Sequence, residues 1–278
     1  MLNRTETERK KEAAKDYAAK LALELTLYKA IRPIFNNLTK SFVTTYTTTG
    51  LIPSMVGFRD KMEKTLKSHY VNVSDIFSKR IIDKLGEPTD YENILNSIKN
   101  RIQLDANKRA AQSTSIIQDT SMGDMHDAIT KVTTEAGKTG KILSDKEIAE
   151  KAKFEINKQN LARLGTISAT ETQNPAETAK QTEFTFLNHH NAEINGKKMK
   201  DTVKKKQWVA ILDNFTREWH AEADGQIVDF DEPFIVNGQQ LMTPGDMSLG
   251  ATIDNIINCR CSSVPIIEAE ESEEDEED

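Results

Sequence analysis

Residues 207–225 read QWVAILDNFTREWHAEADG, and this stretch decides between an all-helical chain and one that also carries a sheet. Gln207 to Leu212 is a short apolar run containing Trp208 and two β-branched residues, closed by Asp213, which suits a buried strand. Thr216 then offers an N-cap to a short helix holding Arg217, Trp219 and His220, stopped by Asp224-Gly225. Downstream, Ile227-Val228, Phe234 to Val236 and Gln239 to Met242 read as short strands. Asn237-Gly238 lies between the last two and predicts a hairpin, since both residues tolerate positive φ. Thr243-Pro-Gly-Asp246 predicts a turn, and Cys259 to Ile267 a final strand.

The chain ahead of this region has a different texture. Residues 5–32 read as a helix, with Tyr17, Leu21, Leu25 and Tyr28 at helical spacing and Leu23, Leu27 and Ile31 widening the stripe. Pro33 is expected to interrupt or kink it. Phe35, Leu38, Phe42 and Tyr46 continue the helical period up to Gly50. Amphipathic patterns cover roughly 58–85 and 90–118, separated by Gly86-Glu87-Pro88. Residues 119–143, with Gly123, Gly137 and Gly140, read as a linker. Ser144-Asp-Lys-Glu147 is a capping box that starts a new helix through Ile148, Ala152, Ile156 and Leu164. Asn174-Pro175 either begins a second helix or kinks a single long one.

The expected class is therefore α+β: a mostly helical region over 1–140, a small module of short antiparallel strands within 145–267, and a disordered acidic tail over 268–278. Charge supports that division. The formal net charge of −7 comes from 37 basic and 44 acidic residues. Nine acids lie between Glu268 and Asp278, so 37 minus 35 leaves +2 for residues 1–267. The low isoelectric point belongs to the tail, and the slight basic excess in the front half is too dispersed to argue for nucleic-acid binding. No stretch approaches 18 apolar residues, so no membrane span is expected. Cys259 and Cys261 are the only cysteines, and a disulfide across one residue would be strained, so reduced thiols and cytoplasmic assembly are the expectation.

The succession Trp208, Asp213, Arg217-x-x-His220, Asp224-Gly225, Pro244-Gly245 and Asn258-Cys259-Arg260-Cys261 resembles the phage Mu protein F-like family of head-morphogenesis proteins. Ala162-Arg163 followed by Ile167-Ser-Ala-Thr170-Glu171 resembles the helix that opens that family's domain, giving a likeness over roughly 145–267. The resemblance implies a minor capsid protein, present in few copies in the virion and associated with the portal vertex. It implies the portal protein and other capsid or scaffold components as partners. It also implies a DNA contact, because some such proteins are thought to accompany DNA into the host.

The same block carries chemically capable residues. His220, Cys259 and Cys261 are the residue types that hold zinc, with Asp213 or Asp224 available as a fourth ligand. A structural zinc site normally draws on Cys-x₂₋₄-Cys knuckles, and only one tighter Cys-x-Cys is present, so the residues alone assign no metal and read the thiols as packing. Arg217 and His220 share a helix face and could serve a catalytic site with Asp213, Asp224 or Glu171. A metal-assisted hydrolase is thus the alternative reading. No nucleophile elbow, HExxH motif or phosphate-cradling glycine loop accompanies them, so a polar network tying a small domain together is preferred and no enzyme is expected. Trp208 and Trp219 are expected to be core anchors, whereas His69, His126 and the pair His189-His190 are expected to be solvated.

Overall fold

The computed structural model describes residues 5–89, 91–189, 193–194, 197–198 and 203–267. Four long helices come first: α1 (Glu6–Thr49), α2 (Val56–Leu85), α3 (Tyr91–Lys138) and α4 (Asp145–His189). Short elements follow: β1 (Glu193–Ile194), β2 (Lys197–Lys198), β3 (Val203–Val209), α5 (Glu218–Glu222), β4 (Ile227–Asp229), β5 (Phe234–Val236), β6 (Gln239–Leu241), α6 (Ile253–Ile256) and β7 (Ser262–Ile267). The expected class holds, a helical N-terminal region and then a small module of short antiparallel strands. The expected acidic tail, 268–278, and His190 lie outside the described residues.

The first helix departs from expectation in two ways. It runs unbroken through Pro33, from a capping box between Thr5 and Glu8 to the left-handed Gly50 at φ 67°. Pro33 is exposed, as is Lys29, so the carbonyl that loses its N–H partner faces water. The buried stripe is Leu23, Leu27, Ile31, Leu38 and Phe42, while Leu21 and Leu25 are exposed. Ile31, Phe35 and Phe42 set the inward face, and Leu25 falls on its opposite side because two residues rotate a helix by about 200°.

The expected linker over 119–143 is mostly helix. α3 continues to Lys138 because Ser121, Met125, Ala128 and Val132 keep a four- or three-residue buried period across Gly123. Only residues 139–144 connect it to α4. The capping box Ser144–Glu147 forms as expected: the Glu147 carboxylate accepts from Ser144 N at 2.9 Å, and Ser144 Oγ accepts from Glu147 N at 3.4 Å. Pro175 lies inside α4, so the single-helix alternative is the one realised.

α4 is the central strut, packed against α1, α2 and α3. One apolar cluster joins Phe35, Phe42, Met62, Met125, Ala152 and Leu164, one or more residues from each helix. In the C-terminal module β3 is the middle strand of the sheet β4-β3-β7, antiparallel on both sides. The strand expected to reach Leu212 ends at Val209, and the one expected from Cys259 starts at Ser262. The hairpin β5–β6 turns on Asn237 (φ 50°) and Gly238 (φ 69°), as expected of Asn-Gly. α1 reaches this module too, since Ala13 packs with Val209 of β3 and Val264 of β7.

Candidate functional site

Trp208 anchors the C-terminal module. It is fully buried and meets His220 and Phe234 edge-on, at 5.5 and 5.4 Å between ring centres. His220 sits in α5, whose N-cap is Arg217 rather than Thr216; Thr216 turns its hydroxyl to the Ile211 carbonyl instead. Arg217 lies outside the helix proper and donates to the Ile257 carbonyl at 2.6 Å. Asp224 accepts from Ala210 N at 2.8 Å, and Gly225, at φ 85°, donates to the Trp208 carbonyl at 2.9 Å. These two residues bind the end of α5 back onto β3.

Asn258 has φ 52°, a left-handed conformation that Asn tolerates better than most residues. Its N–H donates to Thr170 Oγ1 of α4 at 3.0 Å. The chain then leaves extended, so Cys259 and Cys261 point inward and Arg260 points outward. Arg260 forms a two-pronged pair with Asp213 at 2.6 and 2.8 Å and lies over the Phe215 ring. Asp213 and Asp224 are thereby committed to other partners than the thiols.

His220, Cys259 and Cys261 converge. His220 Nδ1 lies 3.8 Å from Cys259 Sγ and 3.5 Å from Cys261 Sγ, and all three side chains are buried. On the far side of the ring, Nε2 faces the Asn255 carbonyl at 3.1 Å and Asn255 Oδ1 at 3.0 Å. Asn255 Oδ1 also accepts from Trp219 Nε1, while Asn255 Nδ2 donates to the Val236 carbonyl. The amide is thus fixed with its oxygen toward His220. Nε2 must carry a proton to donate to it, and in the neutral ring this leaves Nδ1 with its lone pair toward the two sulfurs.

The sulfurs are not equivalent. Hydrogen bonding from Cys261 holds the Cys259 thiol well below the usual range, against the burial that opposes it, with His220 adding to the pull. Cys261 is correspondingly pushed up by Cys259 and by burial. Burial would lower His220, but its bonds to Cys259 and Asn255 outweigh this and raise it. The Trp208 indole N–H is buried without a conventional acceptor and favours the Cys261 thiolate. A Cys–His pair of this kind has nucleophilic character, but Cys259 and His220 are each only 2% exposed. The three side chains can hold an ion; they do not face a substrate.

Glu171 belongs to a different place. On α4 its Oε2 accepts from Tyr70 at 2.5 Å, Ser113 at 3.0 Å and Arg109 at 3.2 Å, joining α2 and α3 rather than the thiol cluster. His69 corrects the expectation of a solvated ring: it is buried against Thr172 Oγ1 at 2.8 Å, and burial lowers it to about 4. His126 and His189 are exposed, as expected. In the sequence Asn255, Lys20 and Gln173 read as ordinary polar residues, and Glu177 only as the acidic member of a helix-start signal at Asn174-Pro175. A polar residue in register with an apolar helical stripe, as Lys20 is with Ala13, Leu23 and Leu27, was the one available signal.

Comparison with known families decides what this arrangement belongs to. The model of the phage Mu protein F-like proteins matches residues 75–264, about two thirds of the chain. The chain belongs to the phage Mu protein F-like family. The family is one of phage proteins. The match starts in α2, well ahead of residue 145, so the family's likeness extends into the helical region. Among the described residues no helix is long and apolar enough to cross a membrane.

A curated relative also matches. Over 64 residues the chain is 36% identical to an NAD(+)–arginine ADP-ribosyltransferase of Enterococcus faecalis (strain ATCC 700802 / V583). Those residues are 23% of this Mu F-like chain and 12% of that enzyme, so the match spans a small part of the relative's length. No solved structure matches.

Proposed function

We propose that this Mu F-like protein is a non-enzymatic minor head protein that docks to the portal vertex through the free end of its helical bundle. The family match over residues 75–264 carries the reading. The bundle supplies the surface. A side chain added at Gly50 would meet the Asp145 carboxylate, so the α1–α2 and α3–α4 connections lie together at one end. Leu51, Val56 and Ile142 beside these connections are 66%, 65% and 95% exposed, and Phe154, nine residues into α4, is 70% exposed. Large apolar side chains left in water toward one end of a bundle suit a docking surface. The C-terminal module is far away, since Asp145 and Glu177 are separated along α4 by about 48 Å at 1.5 Å per residue.

The module's own polar groups favour a structural role. Arg217, Asp224, Asn258 and Arg260 each hold a backbone segment or a neighbouring side chain, and the His220–Cys cluster is buried. Co-expression with the portal protein and the major capsid protein of the same phage tests the reading. The wild-type chain is expected to co-purify with the portal, and Ile142→Lys with Phe154→Lys to lose that association while remaining folded. Full association of the double variant would remove the tip as the docking surface. Binding of the chain to DNA but not to the portal at physiological salt would favour the ejected DNA-contact role instead.

A further inference from the structure

We propose that His220, Cys259 and Cys261 form a zinc site that clamps α5 to the segment leading into β7. In a tetrahedral shell with Zn–S of about 2.3 Å and Zn–N of about 2.0–2.1 Å, nitrogen and sulfur stand about 3.5 Å apart and two sulfurs about 3.8 Å. The two nitrogen–sulfur distances here are 3.5 and 3.8 Å, and all three donor atoms lie within 4.8 Å of one another. The cluster therefore already has the dimensions of the ion's shell.

The surroundings are also those of a ligand set. Metal-bound histidines commonly donate their second ring N–H to an oxygen that fixes tautomer and orientation. Here Asn255 supplies two such oxygens to Nε2, at 3.1 and 3.0 Å, and leaves Nδ1 for the ion. Trp208, edge-on to His220, brings a buried N–H with no other acceptor, the donor that a metal-bound thiolate needs in a dry site. Cys-x-Cys, too tight for an ordinary knuckle when read as spacing, works because the left-handed Asn258 delivers an extended segment. Its first and third side chains then share one face.

Charge selects the ion. Two thiolates and a neutral imidazole carry −2, which Zn²⁺ cancels inside a buried cluster, whereas a monovalent ion would leave a net charge there. Binding displaces the two thiol protons to solvent. No fourth His, Cys, Asp or Glu lies within reach among the described residues, and a water molecule completes the shell.

The test uses the full chain purified with reduced thiols, after chelation and after addition of Zn²⁺ or Co²⁺ alone. One zinc per chain is expected, with release of protons on binding. The cobalt form should show thiolate-to-metal charge-transfer and tetrahedral visible bands, and X-ray absorption should find two sulfurs and one nitrogen. Cys259→Ser and Cys261→Ser should lose the bands, while Asp213→Asn and Asp224→Asn keep them. Should the cysteine variants misfold, the wild-type cobalt spectrum still decides. Absence of a thiolate band in the folded, reduced protein would overturn the proposal. So would copper in place of zinc, or unchanged binding in the doubly substituted chain.

Discussion

Lys20 on α1 and Glu177 on α4 form an ion pair of 2.5 Å, with side chains 1% and 0% exposed. Lys20 also donates to Gln173 Oε1 at 2.9 Å, and Glu177 Oε2 accepts from Ser263 N of β7 at 2.8 Å. Lys180 closes the group, lying 3.0 Å from both Asp16 and Glu177. Burial opposes the Asp16 charge, yet Lys180 and Lys20 hold its carboxyl well below the usual range. With Arg80 of α2, 3.0 Å from the other Asp16 oxygen, three cations and two anions join the first, second and central helices to the last strand. Removing one partner strands a buried charge, at a cost of about 3–5 kcal/mol, whereas replacing both by apolar groups of similar volume is far milder. Urea unfolding of Glu177→Ala should show the large loss, and Lys20→Met with Glu177→Leu a much smaller one. Equal losses would mean that the pair itself, and not the stranded charge, sets the cost.

Glu183 gives the fold a pH dependence. It is buried with neither oxygen in a well-formed hydrogen bond, and burial lifts it from 4.5 to about 7 against a smaller pull from Ser78. Below 4.5 the carboxyl is neutral folded and unfolded, so it adds no pH dependence. Between 4.5 and about 7 the unfolded chain ionises first, and stability falls as pH rises; above 7 the loss is complete, about 3 kcal/mol at most. Glu183→Gln should therefore gain on wild type across that window in thermal melts, with no relative gain below it. Parallel profiles would show that the carboxyl is solvated.

Pro33 imposes a cost that the rest of α1 absorbs. A proline inside a helix costs about 3 kcal/mol relative to Ala, and its exposed position leaves room for the missing N–H. Pro33→Ala should raise the melting temperature by a gain of about 1–3 kcal/mol. A fall would mean that the ring makes a contact which outweighs the hydrogen bond.

Asn258 is the turn that sets the cysteines. At φ 52°, Asn258→Gly should be close to neutral, while Asn258→Val should lose about 1–3 kcal/mol and disturb the Cys259–Cys261 geometry. Circular dichroism melts and cobalt spectra of the two variants separate the effects. Equal behaviour of Gly and Val would show that the backbone there is not strained.

Local chemistry made much of this fold legible in the sequence. The capping box at Ser144, the stop at Gly50 and the Asn237-Gly238 hairpin each depend on a few neighbouring residues, and each forms where its residues predict. Pro33 and residues 119–138 misled for one reason: a helix buried along one face survives local penalties that would end it in isolation. The thiol cluster was half legible. Its residue types were plain, but its closure depends on the backbone at Asn258 and on Asn255, 35 residues from His220. Glu171 stood out in the sequence as part of the same block, and only tertiary packing reveals that it serves α2 and α3 instead.

A minor head protein is a built-in part of the phage head. Quantitative mass spectrometry of heads purified from a producing host measures that directly. The chain is expected in a small fixed ratio to the portal protein, and to be lost from heads when Ile142 and Phe154 are both changed to Lys although the variant accumulates in the cell. Heads that lack the wild-type chain, while it remains free in the lysate, would contradict that role.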